Sequence, residues 1–262
     1  MLYFPQLTSG ALGQYPVSKT VSQRAITNTL SDGHAVRYAD PGAGVVQWEL
    51  QYQGLADSEV TSLSEFFAAC EGQLHAFTFA DPLGNLLLWS EDLTQTEWQV
   101  DASLELTTGL ADPNGGASAT ELTNPTGEDL TVKQTIASPG WYNYAFSVYV
   151  QGQPGKSVSL LRKAGGITSA NAYPAGSTWQ RITLSGQTDT TGESVAAGIT
   201  IPAGQSARVF GFQLEPQPAA SPYKPSYETN GIYTNAHFAS DTFAVTTSGP
   251  NRNQCTLSIM AH

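Results

Sequence analysis

The chain has few of the residues that usually carry catalysis or hold a cofactor. Its 262 residues include four histidines and two cysteines, and none of them forms a His-Glu-x-x-His or Cys-x-x-Cys arrangement. Neither a Gly-x-Ser-x-Gly nucleophile turn nor a Gly-x-x-x-x-Gly-Lys phosphate loop occurs. We therefore expect no enzyme active site, no metal site and no cofactor.

Basic residues and long apolar runs are also scarce. Eleven Lys and Arg stand against 22 Asp and Glu, which gives a formal net charge of −11. Because nucleic-acid affinity depends on clustered Lys and Arg, this balance argues against nucleic-acid binding. No apolar run approaches the roughly 18 residues that a bilayer span needs, so we expect no membrane insertion.

The N-terminal residues and the two cysteines bear on the cellular compartment. Residues 1–5 lack the basic and apolar segments of a signal peptide, so we expect synthesis in the cytoplasm without export. In a reducing compartment Cys70 and Cys255 are expected to stay as thiols rather than form a disulfide.

What the chain does contain is short β-strand patterns separated by turns. Trp48, Leu50 and Tyr52 alternate with polar residues, which predicts a half-buried strand. A helix is predicted next, with Asp57 as its N-cap and Gly72 ending it. Its apolar stripe recurs at spacings of three and four and consists of Val60, Leu63, Phe67 and Cys70.

The end of the chain predicts a hairpin that lacks a local partner. Phe243 and Val245 alternate with polar residues, and Leu257 and Ile259 do so again after a turn. A lone hairpin is marginal in water, so we expect residues 45–79 to cover it. The sequence therefore predicts one discontinuous domain, residues 1–84 plus 231–262, interrupted by a second domain, residues 85–230.

Several motifs of the outer domain resemble the distal tail protein family of long-tailed phages and gene transfer agents. They are Phe4–Leu7, Asn28–Gly33, Asp40–Pro41, Trp48–Tyr52, Leu63–Gly72 and Phe77–Pro82, followed by the hairpin Phe238–Met260. The resemblance implies a β-sandwich with one helix, assembled as a closed ring of six copies between tail tube and tip proteins. It places the protein in a virion tail or phage-like particle. We expect the N-terminal segment, which ends at Pro16, to grip a neighbouring subunit. Its apolar residues are Leu2, Phe4, Leu7 and Leu12.

The middle segment predicts an all-β unit, because short strands alternate with Gly, Pro, Ser and Asn clusters. It resembles carbohydrate-binding jelly-roll modules. The likeness rests on Asn85–Glu91 with Trp98, Tyr144–Val150, Trp179–Arg181, Gln213–Glu215 and Pro222–Pro225. The fold class expected for the whole chain is all-β with one short helix, a β-sandwich tail domain interrupted by a jelly-roll β-sandwich.

Sugar-binding jelly rolls stack exposed aromatic rings on pyranose rings. Trp141 and Tyr142 follow a Pro-Gly turn, and Tyr173 lies in a polar stretch, so these three are the candidate carbohydrate-binding residues. The alternative is that all three are partly buried strand-end aromatics. Trp89, Trp98 and Trp179 are interpreted as packing residues.

An acidic cluster leaves further alternatives open. Glu91, Asp92, Glu97 and Asp101 could together bind calcium or include the paired carboxylates of a glycosidase, although a solvated face is the favoured interpretation. The sequence and its resemblances therefore favour a structural tail-tip component, not an enzyme, with an inserted jelly roll that could either hold a host-surface glycan or only pack against neighbouring proteins. The alternatives are a stand-alone receptor-binding adhesin or lectin, and a glycan hydrolase.

Overall fold

The computed structural model describes residues 1–262, except for the side chain of Pro41, which leaves that part of the Asp40–Pro41 motif outside the description. The fold is all-β with one helix, as predicted, and its sheets are antiparallel. None of the described helices has the length and apolar character needed to cross a membrane. The elements are β1 Val17–Thr29, β2 Ala35–Leu55, α1 Asp57–Ala69, β3 Phe77–Ala80, β4 Trp98–Val100, β5 Glu105–Leu110, β6 Ala119–Thr123, β7 Leu130–Ile136, β8 Asn143–Gly152, β9 Lys156–Ala164, β10 Ile167–Ala175, β11 Gln180–Gln187, β12 Val195–Ile201, β13 Ser206–Glu215, β14 Ile232–Phe238, β15 Val245–Gly249 and β16 Arg252–Ala261.

The chain divides into two compact units. The first, the outer unit, comprises Met1–Thr8, Leu12–Phe79 and Tyr233–His262. The second, the insert, comprises Ser9–Ala11 and Ala80–Ile232. The main boundaries thus fall at 79/80 and 232/233, compared with the 84/85 and 230/231 expected from the sequence.

The outer unit is built on one six-stranded sheet in the order β1-β2-β16-β14-β3, with β15 paired to β16. Leu257 of the C-terminal hairpin lies opposite Leu50, and Phe243 stacks on Phe67 of α1 at 5.7 Å. The hairpin is therefore covered within the outer unit, because its apolar residues pack on β2 and α1.

Helix α1 begins one residue earlier than its predicted cap implies. Ala56 is the N-cap, so the prediction of Asp57 was wrong, and Asp57 is instead the first helical residue. The Glu59 carboxylate accepts the Ala56 N–H at 2.9 Å, which satisfies a donor that the helix leaves unpaired. The helix ends before Gly72, whose φ of +65° favours glycine.

A cluster of phenylalanines forms the core of the outer unit. Phe4, Phe66, Phe77, Phe79 and Phe238 lie with neighbouring ring centroids 5.0–6.4 Å apart. Edge-on contacts of this kind stabilise beyond the area they bury, by about 0.5–1.5 kcal/mol per pair.

The N-terminal segment folds back onto the outer unit. Its Phe4 N–H donates to the Thr78 carbonyl at 3.1 Å, and Phe4, Leu7 and Leu12 are buried. The expectation that these residues grip a neighbouring subunit was therefore wrong, since their apolar surface is already covered within the chain.

Both cysteines of the outer unit are buried free thiols. Burial raises the pKa of Cys70 and of Cys255 to about 11, so both are protonated and unreactive near neutral pH.

A long β-hairpin, the ribbon, extends from the sheet of the outer unit. It consists of β1 and the first part of β2, paired from Thr29 opposite Ala35 to Val21 opposite Val46. Residues 18–29 are all exposed, so both faces of β1 face solvent. Strand β1 is also an edge strand of the sheet. The ribbon is therefore held by its own backbone pairing and by an ion pair between Arg24 and Asp40, and it lacks a core.

The insert is a β-sandwich of two five-stranded sheets. The β9 sheet has the order β10-β9-β12-β7-β4, and the β8 sheet has the order β11-β8-β13-β6-β5. Alternate residues of the central strand β8 point inward, and Tyr144, Phe146, Val148 and Val150 are all buried. This arrangement confirms the jelly-roll type of sandwich predicted for the middle segment.

The two ends of the insert meet in a neck formed by Asp81, Asn85 and Gly231. The Asp81 N–H donates to the Gly231 carbonyl at 2.7 Å, and the Gly231 N–H donates to the Asn85 carbonyl at 2.8 Å. The Asn85 side chain also caps the insert from inside, accepting the Leu214 N–H and donating to the Phe212 carbonyl.

Candidate functional site

The three aromatic residues predicted to bind sugar differ in their exposure. Tyr142 is 2% exposed and packs in the core, so the expectation that it offers a free ring face was wrong. Tyr173 is partly exposed on β10, and its hydroxyl donates to the Thr183 carbonyl of β11. Trp141 is 36% exposed and stands edge-on to Tyr142. Sugar binding by these residues stays a prediction, and Trp141 is the one with the largest exposed surface.

The larger aromatic surface lies elsewhere in the insert, in a groove of about 490 Å³. Trp89 and Tyr227 line it, together with Glu91 and Asp92. Tyr227 is 58% exposed, and Trp89 is partly exposed. The volume is in the range of small-ligand sites, and aromatic walls with a few polar groups are typical of them. We call this the Trp89 groove.

Backbone pairing between the two ends of the insert brings the aromatic residues together. The Trp89 N–H donates to the Tyr227 carbonyl, and the Ser90 N–H donates to the Ser226 carbonyl, both at 3.1 Å. Trp89 and Tyr227 are far apart in the sequence, so the groove exists only in the folded insert. Beyond them, the groove is lined by the bulged part of β5 and the start of β6.

Trp89 has an unusual backbone conformation that fixes the direction of its side chain. Its φ is +50°, a region that bulky residues rarely adopt. The Trp89 carbonyl accepts the Trp98 indole N–H at 3.1 Å and the Asp92 N–H at 3.0 Å. Strained residues held in this way concentrate at functional sites, and a rigid ring loses little entropy when a ligand binds.

The two carboxylates of the groove are held in place by neighbouring donors. Glu91 accepts the Tyr223 hydroxyl at 3.0 Å. Asp92 accepts the Thr94 hydroxyl at 2.6 Å and the Gln95 amide at 2.8 Å. The Thr94 hydroxyl, and then the Gln95 amide, lower the pKa of Asp92, so this carboxylate stays ionised at mildly acidic pH.

A buried aspartate organises the loop beside the groove. Asp112 accepts the backbone N–H groups of Asn114, Gly116 and Ser118 at 2.8–3.1 Å. Burial acts to raise the pKa of Asp112, but these donors outweigh it and hold the pKa below its usual value. Since Ser118 lines the groove, Asp112 positions one of its walls.

A second depression lies on the outer face of the β9 sheet and has a volume of about 270 Å³. Lys133, Thr135 and Lys163 line it, and its described lining residues include no aromatic side chain. Without a ring face it offers no stacking surface for a pyranose, so the Trp89 groove is the better candidate.

The acidic cluster does not come together as one site. Glu91 and Asp92 line the groove, whereas Glu97 and Asp101 are exposed and Asp101 caps β7 by accepting the Thr131 N–H at 2.7 Å. Over residues 1–262 as described, no group of three or more His, Cys, Asp or Glu side chains has the geometry to hold a metal ion.

Sequence reasoning missed the groove because it treated Trp89 as a packing residue. Of the three tryptophans interpreted that way, Trp98 is buried, and Trp89 and Trp179 are partly exposed. A usable signal for Tyr227 was present: it lies in a polar stretch just after the Pro222–Pro225 motif, as Tyr173 lies in a polar stretch of its own. No comparable signal marks Trp89, because its exposure depends on a backbone conformation that the sequence does not show.

No family model matches the chain, and no curated protein matches it. Solved structures do resemble it. One is the carbohydrate-binding module TmCBM61, solved with β-1,4-galactotriose, at 16% identity and a TM-score of 0.39 over 50% of this chain and 97% of that one. Another is the CBM22-1 xylan-binding domain of Paenibacillus barcinonensis Xyn10C, at 15% identity and a TM-score of 0.43 over 54% of this chain and 99% of that one.

A third similar structure is the enzymatically active domain of tailspike protein 4 from bacteriophage CBA120. It is 13% identical, with a TM-score of 0.42, over 52% of this chain and 22% of that one. Likenesses this weak assign no ligand, activity or particle to this chain. Its jelly-roll architecture follows from its own two sheets.

Proposed function

We propose that the chain is a glycan-binding protein whose ligand lies in the Trp89 groove of the insert, as in an adhesin or lectin. The observation that carries this proposal is the pairing of a 58% exposed Tyr227 with Trp89 beside the carboxyl groups of Glu91 and Asp92 in one groove. A sugar ring presents an apolar face to aromatic rings and hydroxyl donors to carboxylates, so this combination suits it.

Binding without hydrolysis fits the groove better than catalysis does. A glycosidase needs a carboxyl group that keeps its proton until the leaving group departs. Asp92 is unsuited to that acid role, because its Thr94 and Gln95 donors lower its pKa. Glu91 is then the one carboxyl group of the groove left for the acid, so the preference for an adhesin or lectin over a hydrolase rests on the exposed rings of Trp89 and Tyr227.

Binding can be tested by screening the full chain on a glycan array, alongside Trp89→Ala, Tyr227→Ala and Trp141→Ala. Losing one stacking ring should weaken binding by about 1–3 kcal/mol, taking base–aromatic stacking as the nearest guide, or about 5- to 150-fold. We expect this loss for Trp89→Ala and Tyr227→Ala but not for Trp141→Ala.

Two results would count against the groove. If no glycan is retained by a correctly folded chain, glycan binding itself is wrong. If Trp141→Ala abolishes retention while Trp89→Ala and Tyr227→Ala do not, the ligand binds at the site predicted from the sequence instead.

A second candidate function is assembly, and the ribbon favours it. Val21, Ile26, Leu30 and Tyr38 on the ribbon or at its tip are 45–60% exposed. An exposed edge strand with apolar side chains is a template for pairing with another chain. We therefore propose that the outer unit forms a closed ring of identical subunits, and that the insert serves as the receptor-binding part of a phage-like tail tip. The distal-tail resemblance suggests six copies.

Assembly is tested by measuring the mass of the full chain by light scattering and by probing purified phage-like particles for it. Ile26→Asp and Tyr38→Asp should prevent association, because each places a charge in the proposed contact. Leu74→Asp is the matched control, since Leu74 is 65% exposed but lies outside the ribbon, after α1. Equal effects of all three changes, or absence of the chain from every particle, would contradict the assembly role.

A further inference from the structure

The Trp89 groove carries two negative charges that nothing in it balances. Glu91 and Asp92 line it, and its described lining residues include no Lys, Arg or His. Neither carboxylate takes part in an ion pair with any described residue. Charges at the wall of a groove lose part of their hydration when a ligand covers them, so a neutral occupant would leave both uncompensated.

The hydrogen bonds around these carboxylates leave the charge in place. Both oxygens of Asp92 already accept donors, from Thr94 and Gln95, and its pKa is lowered by them. Asp92 therefore contributes to ligand binding mainly through the electrostatic field of its charge. Glu91 accepts the hydroxyl of Tyr223, a neutral donor that orients the carboxylate without neutralising it.

The aromatic residues favour the same type of ligand. An ammonium group over the face of Trp or Tyr is attracted by the ring quadrupole, by roughly 0.5–2 kcal/mol depending on how dry the site is. Trp89 and Tyr227 stand in the groove with the two carboxylates. Rings and anions together recognise an organic cation, whereas an acidic sugar would be repelled.

We infer that the Trp89 groove binds a glycan with a free, protonated amino group, such as a glucosamine unit, in preference to neutral, N-acetylated or acidic sugars. This inference rests on the proposed glycan binding. The sugar ring stacks on Trp89 or Tyr227, and its ammonium group faces Glu91 and Asp92.

The test titrates the full chain by calorimetry at about pH 6, where a sugar amine is largely protonated by analogy with α-amino groups. The ligands are glucosamine tetramer, N-acetylglucosamine tetramer, cellotetraose and tetragalacturonic acid. We expect the glucosamine tetramer to bind about tenfold more tightly than its acetylated form. Added salt should reduce that preference, because it screens exposed charges.

Glu91→Gln isolates the charge, since it keeps the size and the acceptor oxygen of the side chain. It should remove most of the preference for the free amine, because it weakens binding of the free-amine tetramer more than binding of the acetylated tetramer. Glu97→Gln is the matched control, because Glu97 is an exposed acid of the same segment that does not line the groove. It should preserve the preference.

The possible failures are distinguishable. Equal binding of the amine and acetylated tetramers, or a preference untouched by Glu91→Gln, overturns the inference and leaves glycan binding intact. If choline chloride binds as tightly as the glucosamine tetramer, the groove recognises an ammonium group without a sugar, and the inference is also wrong. Retention of no glycan at all, by calorimetry and on the array, removes the proposed function itself.

Discussion

The insert and the ribbon are both β-structure, yet different forces stabilise them. Strand β8 of the insert buries Tyr144, Phe146, Val148 and Val150 between two sheets. Strand β1 of the ribbon is comparable in length but is exposed along almost its whole course. A two-stranded ribbon without a core is marginal in water. The difference predicts that the core stabilises the insert, whereas side chains of the ribbon contribute little to the stability of the chain.

The largest effect that follows from this comparison concerns the core of the insert. Phe212 is 1% exposed, and its ring lies 4.8 Å from that of Trp98 and 6.3 Å from that of Phe146. Phe212→Ala should lower the free energy of unfolding by about 3–5 kcal/mol, measured by urea denaturation followed by tryptophan fluorescence. Phe212→Leu should lose less, because it keeps most of the volume. A decrease of less than about 1 kcal/mol in the free energy of unfolding for Phe212→Ala would mean that the sandwich core does not stabilise the insert.

A smaller effect is expected at Asp112, whose carboxylate orders the loop beside the groove. Asp112→Asn should lower the free energy of unfolding by about 1–3 kcal/mol at pH 7, because it weakens several buried hydrogen bonds at once. Asp129→Asn is the control, since Asp129 accepts a single exposed backbone N–H, that of Ala203.

The same residue predicts a pH dependence. The pKa of Asp112 is lowered in the folded protein, so the carboxylate stabilises the fold above the ordinary aspartate pKa of about 3.9. That stabilisation should stay constant from pH 7 to about pH 5 and be lost as the pH falls through the lowered pKa. Unfolding curves of Asp112→Asn and the unchanged protein should therefore converge in acid. If they converge at neutral pH instead, the hydrogen bonds do not favour the charged form.

The smallest effect is expected on the ribbon. Ile26 is 45% exposed, and Ile26→Thr keeps a β-branched side chain while removing apolar surface. We expect the free energy of unfolding of dilute protein to change by less than about 0.5 kcal/mol. A cost comparable to that of Phe212→Ala would contradict the comparison, because it would show that the ribbon is packed against something within the chain.

Strands and helices with one buried face could be predicted from the sequence. Trp48, Leu50 and Tyr52 alternate in β2 and are at most 1% exposed, and the inward residues of β8 behave in the same way. The helix was also predictable from its apolar stripe, except that its N-cap, Ala56, has no capping side chain. In each case burial on one face gives a regular spacing of apolar residues in the sequence.

The ribbon and the groove could not be predicted, for physical reasons that differ. Strand β1 has no buried face, so it leaves no alternation to recognise. The groove depends on pairing between Trp89 and Tyr227, which are distant in the sequence, and on the positive φ of Trp89. Tyr142 was misjudged because the turn before it directs Trp141 outward and Tyr142 into the core.

The neck at Asp81, Asn85 and Gly231 has a consequence for how this chain can change over time. Strands β3 and β14, which flank the insert in sequence, are neighbours in the sheet of the outer unit. The main segment of the insert, Ala80–Ile232, therefore begins and ends at one backbone pair, as the loop of a hairpin would. Any module whose own ends lie equally close could replace it by recombination without altering the sheet. With the functions proposed above, a lineage would exchange the proposed glycan specificity in one step while the proposed assembly surface stayed the same.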